Sequence, residues 1–233
     1  MLSVIVPALN EAARLPSTLA VIREFLEAQG EEYEVIVADD GSTDSSADSA
    51  ERISQGWPQL RVIRLGRHQG KGAAVRAGML TARGDLRLFS DADLSTPIHE
   101  LARLRRRIGG TCQIAIASRA LPQSDVQIHQ SRRREFMGRS YNVLLRILVL
   151  PGLHDTQCGF KLFTAQAAVA CFQPLETSGF GFDAEILLRA RRRGWTVAEV
   201  PVVWRHAADS RVSPLRDSLT TFRDLVRLRL RRP

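Results

Sequence analysis

The fold of this chain is decided by residues 34–44, EVIVADDGSTD, in which an apolar run ends in a cluster of carboxylates. A second run of the same kind, LRLFSDAD, covers residues 86–93 and ends in Asp91 and Asp93. Continuous apolar runs are typical of strands buried on both faces of a parallel sheet. Ligands of open α/β sheets bind at the carboxyl ends of the strands. The two runs therefore predict a ligand site at one edge of a parallel sheet.

Strand and helix patterns alternate through the first half of the chain. The predicted strands are residues 3–7, 33–38, 60–65, 86–90 and 112–118, and the predicted helices are residues 15–28, 45–55 and 72–82. The pair Thr96-Pro97 predicts a further helix that has Thr96 as its N-cap and reaches residue 108. This alternation predicts the α/β class, with a mostly parallel sheet flanked by helices.

The second half of the chain is less regular. We predict a polar loop over residues 123–134, a helix over 135–150, a short strand over 159–163, a helix over 182–193 and a strand over 196–204. A last helix begins at Ser213-Pro214 and carries an apolar stripe beside arginines. The expected organisation is one α/β domain over residues 1–212, followed by a basic amphipathic C-terminal helix over 213–233. Such a helix either packs on the core or lies in a membrane interface.

The charge of the chain favours anionic partners. The net charge is +8, and Lys71 and Lys161 are the only lysines among 33 basic residues. Arginine binds phosphate in bidentate geometry, so nucleotide diphosphates, lipid phosphates and an anionic membrane surface are the expected partners. A general bias toward arginine is the alternative explanation for the surface arginines. Nucleic acid is not expected, because aromatic residues make up only 6% of the chain and lie largely in apolar runs.

The cysteines and the N-terminus bear on the compartment. Three scattered cysteines form neither a zinc-binding nor a disulfide pattern, which favours a reduced environment. Residues 1–7 have neither the basic nor the long apolar region of a signal peptide. No stretch approaches the ~20 apolar residues that a membrane span needs. We therefore expect a cytoplasmic protein, peripheral at the inner face of the membrane, and the sequence carries no signal for an oligomeric state.

The residues after the first two predicted strands are candidates for binding a nucleoside. Asn10 and Glu11 could hydrogen-bond a base or ribose, although Glu11 could also simply favour a helix N-terminus. Asp39 and Asp40 are adjacent carboxylates, which repel each other unless a ligand or a hydrogen-bond donor offsets their charge. A helix cap, which either hydroxyl residue at 42–43 could supply, needs only one polar side chain. This excess of carboxylates favours a functional site.

Two further motifs are suited to a diphosphate. Residues 70–76, GKGAAVR, would let backbone N–H groups and Lys71 approach phosphate at the start of a helix. The spacing is not that of a Walker A loop, and close packing of the helix on the sheet is the alternative for the glycines. Asp91 and Asp93 alternate along an extended chain, so both could face one divalent cation that is bound to a diphosphate.

Taken together, these blocks resemble the GT-A glycosyltransferases of family 2 over residues 2–205. Within that family the likeness is strongest to the dolichyl-phosphate β-glucosyltransferase group, a subgroup of the dolichyl- and polyprenyl-phosphate hexose synthases. Dolichyl-phosphate mannose synthases share most of the same blocks. The resemblance implies an inverting hexosyltransferase with a Rossmann-like GT-A fold. It also implies a nucleotide-diphosphate sugar as donor, UDP-glucose in preference to GDP-mannose, a lipid phosphate as acceptor, and Mg²⁺ or Mn²⁺ as cofactor.

The resemblance also implies a role for each matching residue. Binding of the nucleotide-sugar falls to Pro7, Asn10, Glu11, Asp39, Asp40, Lys71 and Asp91, and metal binding to Asp91 and Asp93. Acceptor binding falls to Arg119, Gln157 and Lys161, with Arg132 added from the arginine run at 132–134. Catalysis is assigned to Asp93, Arg119 and Lys71, and a later block, residues 180–185, supplies Asp183 and Glu185 as possible bases.

The choice of acceptor decides whether a base is needed. A phosphate monoester has a second pKa of about 6, so it is mostly dianionic at neutral pH and needs cations such as Arg119 instead of a base. A sugar hydroxyl would need a carboxylate base, for which Asp183 or Glu185 is the candidate. A family 2 transferase that acts on a glycan hydroxyl is therefore one alternative. A non-catalytic module that binds a nucleotide-sugar is the other.

Overall fold

The computed structural model describes residues 1–128, 143, 149–179 and 181–205. Its strands are β1 (Leu2–Ala8), β2 (Tyr33–Asp39), β3 (Leu60–Arg64), β4 (Leu86–Ser90), β5 (Cys112–Ser118), β6 (Asp125–Ile128), β7 (Phe160–Thr164), β8 (Thr196–Pro201) and β9 (Val203–Arg205). Its helices are α1 (Leu15–Gln29), α2 (Ser46–Gln55), α3 (Lys71–Thr81), α4 (Leu101–Arg105), α5 (Ala165–Phe172) and α6 (Phe182–Arg192). The first five predicted strands and first three predicted helices each lie within one residue of an observed element at both ends.

Seven strands form the central sheet, in the order β3-β2-β1-β4-β7-β5-β8. The pairs β1–β2, β1–β4, β2–β3 and β5–β8 are parallel, whereas β7 runs antiparallel to both β4 and β5. The prediction of a mostly parallel α/β sheet is therefore confirmed. The strands β6 and β9 pair separately as a two-stranded parallel ribbon.

The strand directions bring several chain segments to one edge of the sheet. Ala8 of β1 lies opposite Asp39 of β2, and Ile5 of β1 lies opposite Phe89 of β4, so these three strands end at the same edge. The antiparallel strand β7 begins at that edge with Phe160, and the parallel pair β5 and β8 ends there. This carboxyl edge, here called the rim, is where the sequence predicts the ligand site.

Both faces of the sheet are covered, because alternate strand residues point to opposite sides. One core cluster joins Val4 and Val6 of β1 to side chains of α1 and α4, and a second joins Ile5 to side chains of α3, α5 and α6. Helix α1 shows how the sequence sets this packing: Leu15, Leu19, Ile22 and Leu26 recur at helical spacing and are all buried. Gly30, with φ of 66°, ends that helix in the left-handed conformation.

Three local predictions were wrong. Part of the predicted loop 123–134 is strand β6, because residues 125–128 pair with β9. The predicted strand over 196–204 divides at Val202 into β8, which joins the main sheet, and β9, which joins the ribbon. Thr96 does not cap a helix: its hydroxyl lies 3.5 Å from Cys158 Sγ, and a 3₁₀ turn over Ile98–Glu100 precedes the short helix α4. These outcomes depend on contacts between distant segments, which local patterns do not encode.

Some predictions fall outside the described residues. They are Arg132, most of the helix over 135–150, and the C-terminal helix over 213–233. In the described part of the chain, the helices are too short or too polar to cross a bilayer.

Candidate active site

Asp39 ends β2 at the rim with its side chain buried. Its Oδ2 atom accepts hydrogen bonds from the backbone N–H groups of Gly41 and Ser42, each at 3.2 Å. Its Oδ1 atom is buried and has no hydrogen-bond partner among the described residues. A buried carboxylate oxygen without a donor is costly, so this atom is suited to an N–H or O–H group of a ligand.

Asp40 has different hydrogen-bond partners from Asp39. Its carboxylate accepts hydrogen bonds from Gln69 N at 2.8 Å and Gly70 N at 2.9 Å, and it contacts His68 Nδ1 at 2.8 Å. The donors that offset the paired carboxylates are thus supplied in part by the loop before α3. Asp40 fixes this loop, and the backbone N–H of Gly70, the first residue of the predicted phosphate motif, donates to Asp40.

Asn10 holds the loop after β2 against the end of β1. With φ of 56°, it donates its backbone N–H to Ser42 Oγ at 2.8 Å and accepts from Thr43 N at 2.7 Å through Oδ1. Glu11 donates its N–H to Ser46 Oγ at 2.6 Å. The hydroxyls of Ser42 and Thr43 both bond Asn10, so neither caps the next helix, and α2 begins without a side-chain cap.

Pro7 and Glu11 are the other two residues near the end of β1 that the sequence predicts to bind a nucleoside. Pro7 lies in β1 opposite Ala38, one position before the strand ends. The Glu11 carboxylate is paired with Arg14, at 2.6 Å from its Nε atom. Both residues therefore lie beside Asn10 at the end of β1, and their predicted contact with a nucleoside stays a prediction.

Lys71 is the first residue of α3, and its amine lies 2.6 Å from Asp91 Oδ1. Close packing places it there: a Cβ on Gly72 would lie 2.6 Å from Thr177 O and 2.8 Å from Phe182 Cβ, so only glycine fits between α3 and the start of α6. Burial by itself would lower the pKa of Lys71, but the charges of Asp91, Asp183 and Asp93 outweigh it and raise that pKa. Lys71 is therefore a cation at neutral pH.

Asp91 and Asp93 follow β4 on a tight turn. Asp91 donates its backbone N–H to Gly159 O at 2.9 Å, and Asp93 accepts from Ser95 N at 2.9 Å. The next residue, Leu94, has φ of 45°. This conformation is uncommon for a bulky residue, and such residues concentrate at functional sites. Both aspartates are partly exposed, so a ligand can reach them.

The carboxylates fit a divalent cation only with help from a ligand. In residues 1–128 and the later described segments, no group of three or more His, Cys, Asp or Glu side chains could hold a metal ion. Mg²⁺ is usually held by one or two carboxylates together with phosphate oxygens and water. Asp91 and Asp93 match that donor set.

Arg119 follows β5 and forms a bidentate ion pair with the buried carboxylate of Asp155. Its Nε atom lies 2.6 Å from Oδ2 and its Nη2 atom 2.8 Å from Oδ1. Its guanidinium lies over the Trp204 ring, 5.3 Å from the centroid, and the side chain remains 27% exposed. Burial by itself would raise the pKa of Asp155, but Arg119 lowers it below its usual value, so this pair is ionised at neutral pH. Arg119 is thus a fixed cation at the rim.

Lys161 is fully buried on β7. Its amine donates to Cys158 O at 2.6 Å and to Asp183 Oδ1, and it lies 5.0 Å from the centroid of the Phe89 ring. The predicted contact with an acceptor gains no support from this position, because the amine is enclosed by protein groups. Lys161 instead balances the charge of Asp183.

The two candidate bases differ in how they are held. Glu185 accepts hydrogen bonds from the backbone N–H groups of Glu176 and Thr177 and from Arg189 Nε, so its carboxylate fixes the loop before α6. Burial raises the pKa of Asp183 above its usual value, although Lys161 and Lys71 act to lower it. Of the two, Asp183 is electrostatically coupled to Lys71 and Asp91 and is the better placed for chemistry.

Gln157 lies two residues after Asp155 and is bonded to it. Its backbone N–H donates to Asp155 Oδ1 at 3.2 Å, while its side-chain Nε2 is buried without a hydrogen-bond partner among the described residues. A buried amide with unused donors is suited to a ligand acceptor atom. This environment is compatible with the predicted acceptor contact.

Sequence reasoning missed Glu199, His154 and Trp204, which surround Asp155 and Arg119. The available signal was Glu199 itself, a carboxylate inside the apolar run of residues 196–204. Such a residue in a strand needs partners, but the sequence does not say which segment supplies them.

The fold and the rim define a class of protein. The mostly parallel α/β sheet carries several polar groups at one edge. They are the buried Oδ1 atom of Asp39, Lys71 at the start of a helix, and the carboxylates of Asp91 and Asp93. This arrangement is suited to a nucleotide-diphosphate ligand. Residues 3–171 match the model of the family Glycosyl transferase family 2, and the chain belongs to this family. It is therefore a glycosyltransferase.

Curated relatives support the same family. The chain is 37% identical to the dolichyl-phosphate beta-glucosyltransferase of Drosophila melanogaster, over 99% of this chain and 74% of the relative. It is 35% identical to the human protein of that name, over 99% and 75%. It is 37% identical to dolichyl-phosphate beta-glucosyltransferase ALG5C of Trichomonas vaginalis, over 89% and 65%. The chain thus spans about two thirds to three quarters of the length of these relatives.

Solved structures share the fold. Glucosyl-3-phosphoglycerate synthase from Mycobacterium tuberculosis in complex with Mn²⁺, UDP and phosphoglyceric acid has a TM-score of 0.71 at 21% identity, covering 97% of this chain and 78% of that chain. The same synthase in complex with Mg²⁺ and UDP has a TM-score of 0.70 at 21% identity, covering 97% and 79%. The GT-A fold that the sequence predicts is confirmed.

We predict that Gly159→Ala inactivates the protein without unfolding it. A Cβ at this position would overlap the carboxylate of Asp91, which must then leave its present position beside Lys71. Displacing a reacting group by about 1 Å can cost about 100-fold in rate, so kcat/KM should fall by that order. The matched control is Gly56→Ala, where an added Cβ would lie 4.0 Å from Ile53 O. Unchanged kcat/KM in Gly159→Ala would contradict a role for Asp91.

Proposed function

We propose that this glycosyltransferase moves glucose from UDP-glucose to a dolichyl or polyprenyl phosphate, with inversion at the sugar C1 atom. The observation that carries the proposal is the likeness, over 99% of the chain, to relatives named dolichyl-phosphate beta-glucosyltransferase. The rim supports it, because the groups that a nucleotide-sugar needs all lie along one edge of the sheet.

The donor would bind on the β1–β2–β4 side of the rim. The free Oδ1 atom of Asp39 accepts a donor group of the base, and Lys71 lies beside the diphosphate with its charge already set by Asp91. Asp91 and Asp93 would hold Mg²⁺ or Mn²⁺. When bound, that cation would neutralise charge on the diphosphate leaving group. Lys71 stabilises the same developing charge from the protein side.

The acceptor would bind toward the β5 side of the rim. Arg119, fixed by Asp155 and Trp204, offers a cation to a phosphate without further ordering of its side chain. A lipid phosphate is mostly dianionic near neutral pH, because its second pKa is about 6, so it can attack C1 without a base. Asp183 would be required only for a hydroxyl acceptor.

A panel of donors and acceptors tests this function. We expect turnover of UDP-glucose with a short-chain polyprenyl phosphate in the presence of Mg²⁺ or Mn²⁺, and loss of turnover in a chelator. GDP-mannose and simple sugar acceptors are the comparison arms. Turnover only with a sugar hydroxyl would replace the lipid acceptor by a glycan. Binding of UDP-glucose without turnover in any arm would favour a non-catalytic module.

We predict that Asp93→Asn lowers kcat by at least about 100-fold while the fold persists, because it removes a charge placed where the diphosphate leaves. The same substitution at Asp85 is the control, since Asp85 precedes β4 at the opposite edge and its side chain is 89% exposed. Circular dichroism and thermal unfolding should be the same for both variants. Wild-type turnover in Asp93→Asn would remove this residue from the mechanism.

The proposed acceptor implies contact with a membrane. We propose peripheral attachment at the cytoplasmic, inner face, supported by the net charge of +8 and by the basic amphipathic helix predicted over residues 213–233. The purified protein should sediment with vesicles that contain anionic lipid at low salt, and release as salt screens the charges. Equal sedimentation with neutral vesicles, or none with either, would contradict this attachment.

A further inference from the structure

Glu199 is a buried carboxylate outside the set of residues that the family resemblance points to. It lies on β8 opposite Ile116 of β5, two positions before that strand ends at the rim. Its side chain is only 8% exposed. An ionised group at such a position needs hydrogen bonds to offset its desolvation.

Those hydrogen bonds all come from one turn. Glu199 Oε1 accepts from Asp155 N at 2.9 Å, and Oε2 accepts from His154 N at 2.8 Å and lies 2.9 Å from His154 Nδ1. Both carboxylate oxygens are therefore engaged by two consecutive residues. This arrangement fixes the turn at 154–155 on β8.

The fixed turn in turn holds Arg119. Asp155 Oδ2 accepts from the Arg119 backbone N–H at 2.9 Å and from Nε at 2.6 Å, while Oδ1 accepts from Nη2 at 2.8 Å. The Asp155 side chain is buried, so it has little freedom to adjust if its backbone moves. A displacement of the turn would therefore move the guanidinium.

We infer that Glu199 is a positioning residue that sets the place of Arg119 for the acceptor phosphate through Asp155. This inference rests on the proposed function. The Glu199 carboxylate bonds the turn at 154–155, so its removal should act on the acceptor side of the reaction. The donor groups Asp39, Lys71 and Asp91 lie on β2, at the start of α3 and just after β4, and the turn at 154–155 does not hold them.

The test is Glu199→Gln in the full chain, assayed with UDP-glucose and a short-chain polyprenyl phosphate. The amide keeps the shape of the side chain but turns one acceptor oxygen into a donor that faces a backbone N–H. We expect the KM for the acceptor to rise about 10-fold or more, with the KM for UDP-glucose unchanged within about 2-fold. Glu31→Gln is the control, because this substitution removes the same charge at the edge of the sheet opposite the rim, where Glu31 pairs with Arg105.

A double variant separates positioning from general damage. If Glu199 acts through Arg119, then Arg119→Lys combined with Glu199→Gln should have the same acceptor KM as Arg119→Lys alone, within about 2-fold. Multiplied effects would overturn the inference, as would an unchanged acceptor KM or an equal rise for both substrates in Glu199→Gln. Glu199→Asp, which keeps the charge and shortens the reach, gives the same readout if the amide variant does not fold. A wild-type enzyme inactive on polyprenyl phosphate would contradict the proposed function, and this inference with it.

Discussion

Compensation of buried negative charge at the rim is the constraint on which the rest of the structure depends. An ionised carboxylate inside a protein costs several kcal/mol unless partners surround it. Three buried carboxylates here find partners in distant segments: Asp40 in the loop before α3, Asp155 in Arg119, and Asp183 in Lys161. The partners come from both halves of the chain. The rim therefore forms only when the sheet, α3 and α6 assemble together, which links the site to the stability of the whole domain.

The two lysines show why residue type matters in this balance. The chain uses arginine almost everywhere else, yet both lysines lie at the rim. Lys161 is enclosed by Cys158 O, Asp183 and the Phe89 ring, which suits a compact ammonium with three donors. A guanidinium has five donors in a planar fork, and it could not satisfy them in that space. At Arg119 the reverse holds, because Asp155 presents both oxygens to a fork.

The sequence was sufficient for features that local patterns control. Apolar runs ending in Asp39 and Asp91 were enough to predict the parallel strands and the edge at which they end, since burial and strand period are local properties. The antiparallel strand β7, the ribbon of β6 and β9, and the partners of Asp40 and Glu199 depend on which distant segments meet. Thr96 illustrates the same limit: a good cap by type, it instead faces Cys158. Roles taken from the family could name Lys161, but only the fold reveals that its amine is enclosed.

The same charge balance bears on why a divalent cation belongs in the proposed reaction. Near Lys71, the carboxylates of Asp91 and Asp93 outnumber its single ammonium group, so these partly exposed side chains carry a net negative charge. Lys71 is already paired with Asp91 and cannot neutralise a diphosphate by itself. A diphosphate would be repelled from such a surface unless a cation entered with it. Toward β5 the balance differs, because a single buried carboxylate, Asp155, pairs with Arg119 and leaves the guanidinium partly exposed to the proposed acceptor phosphate. Charge would thus separate the two substrates along the rim: the nucleotide-sugar would bind with its cation near Asp91 and Asp93, and the dianionic acceptor phosphate would bind near Arg119.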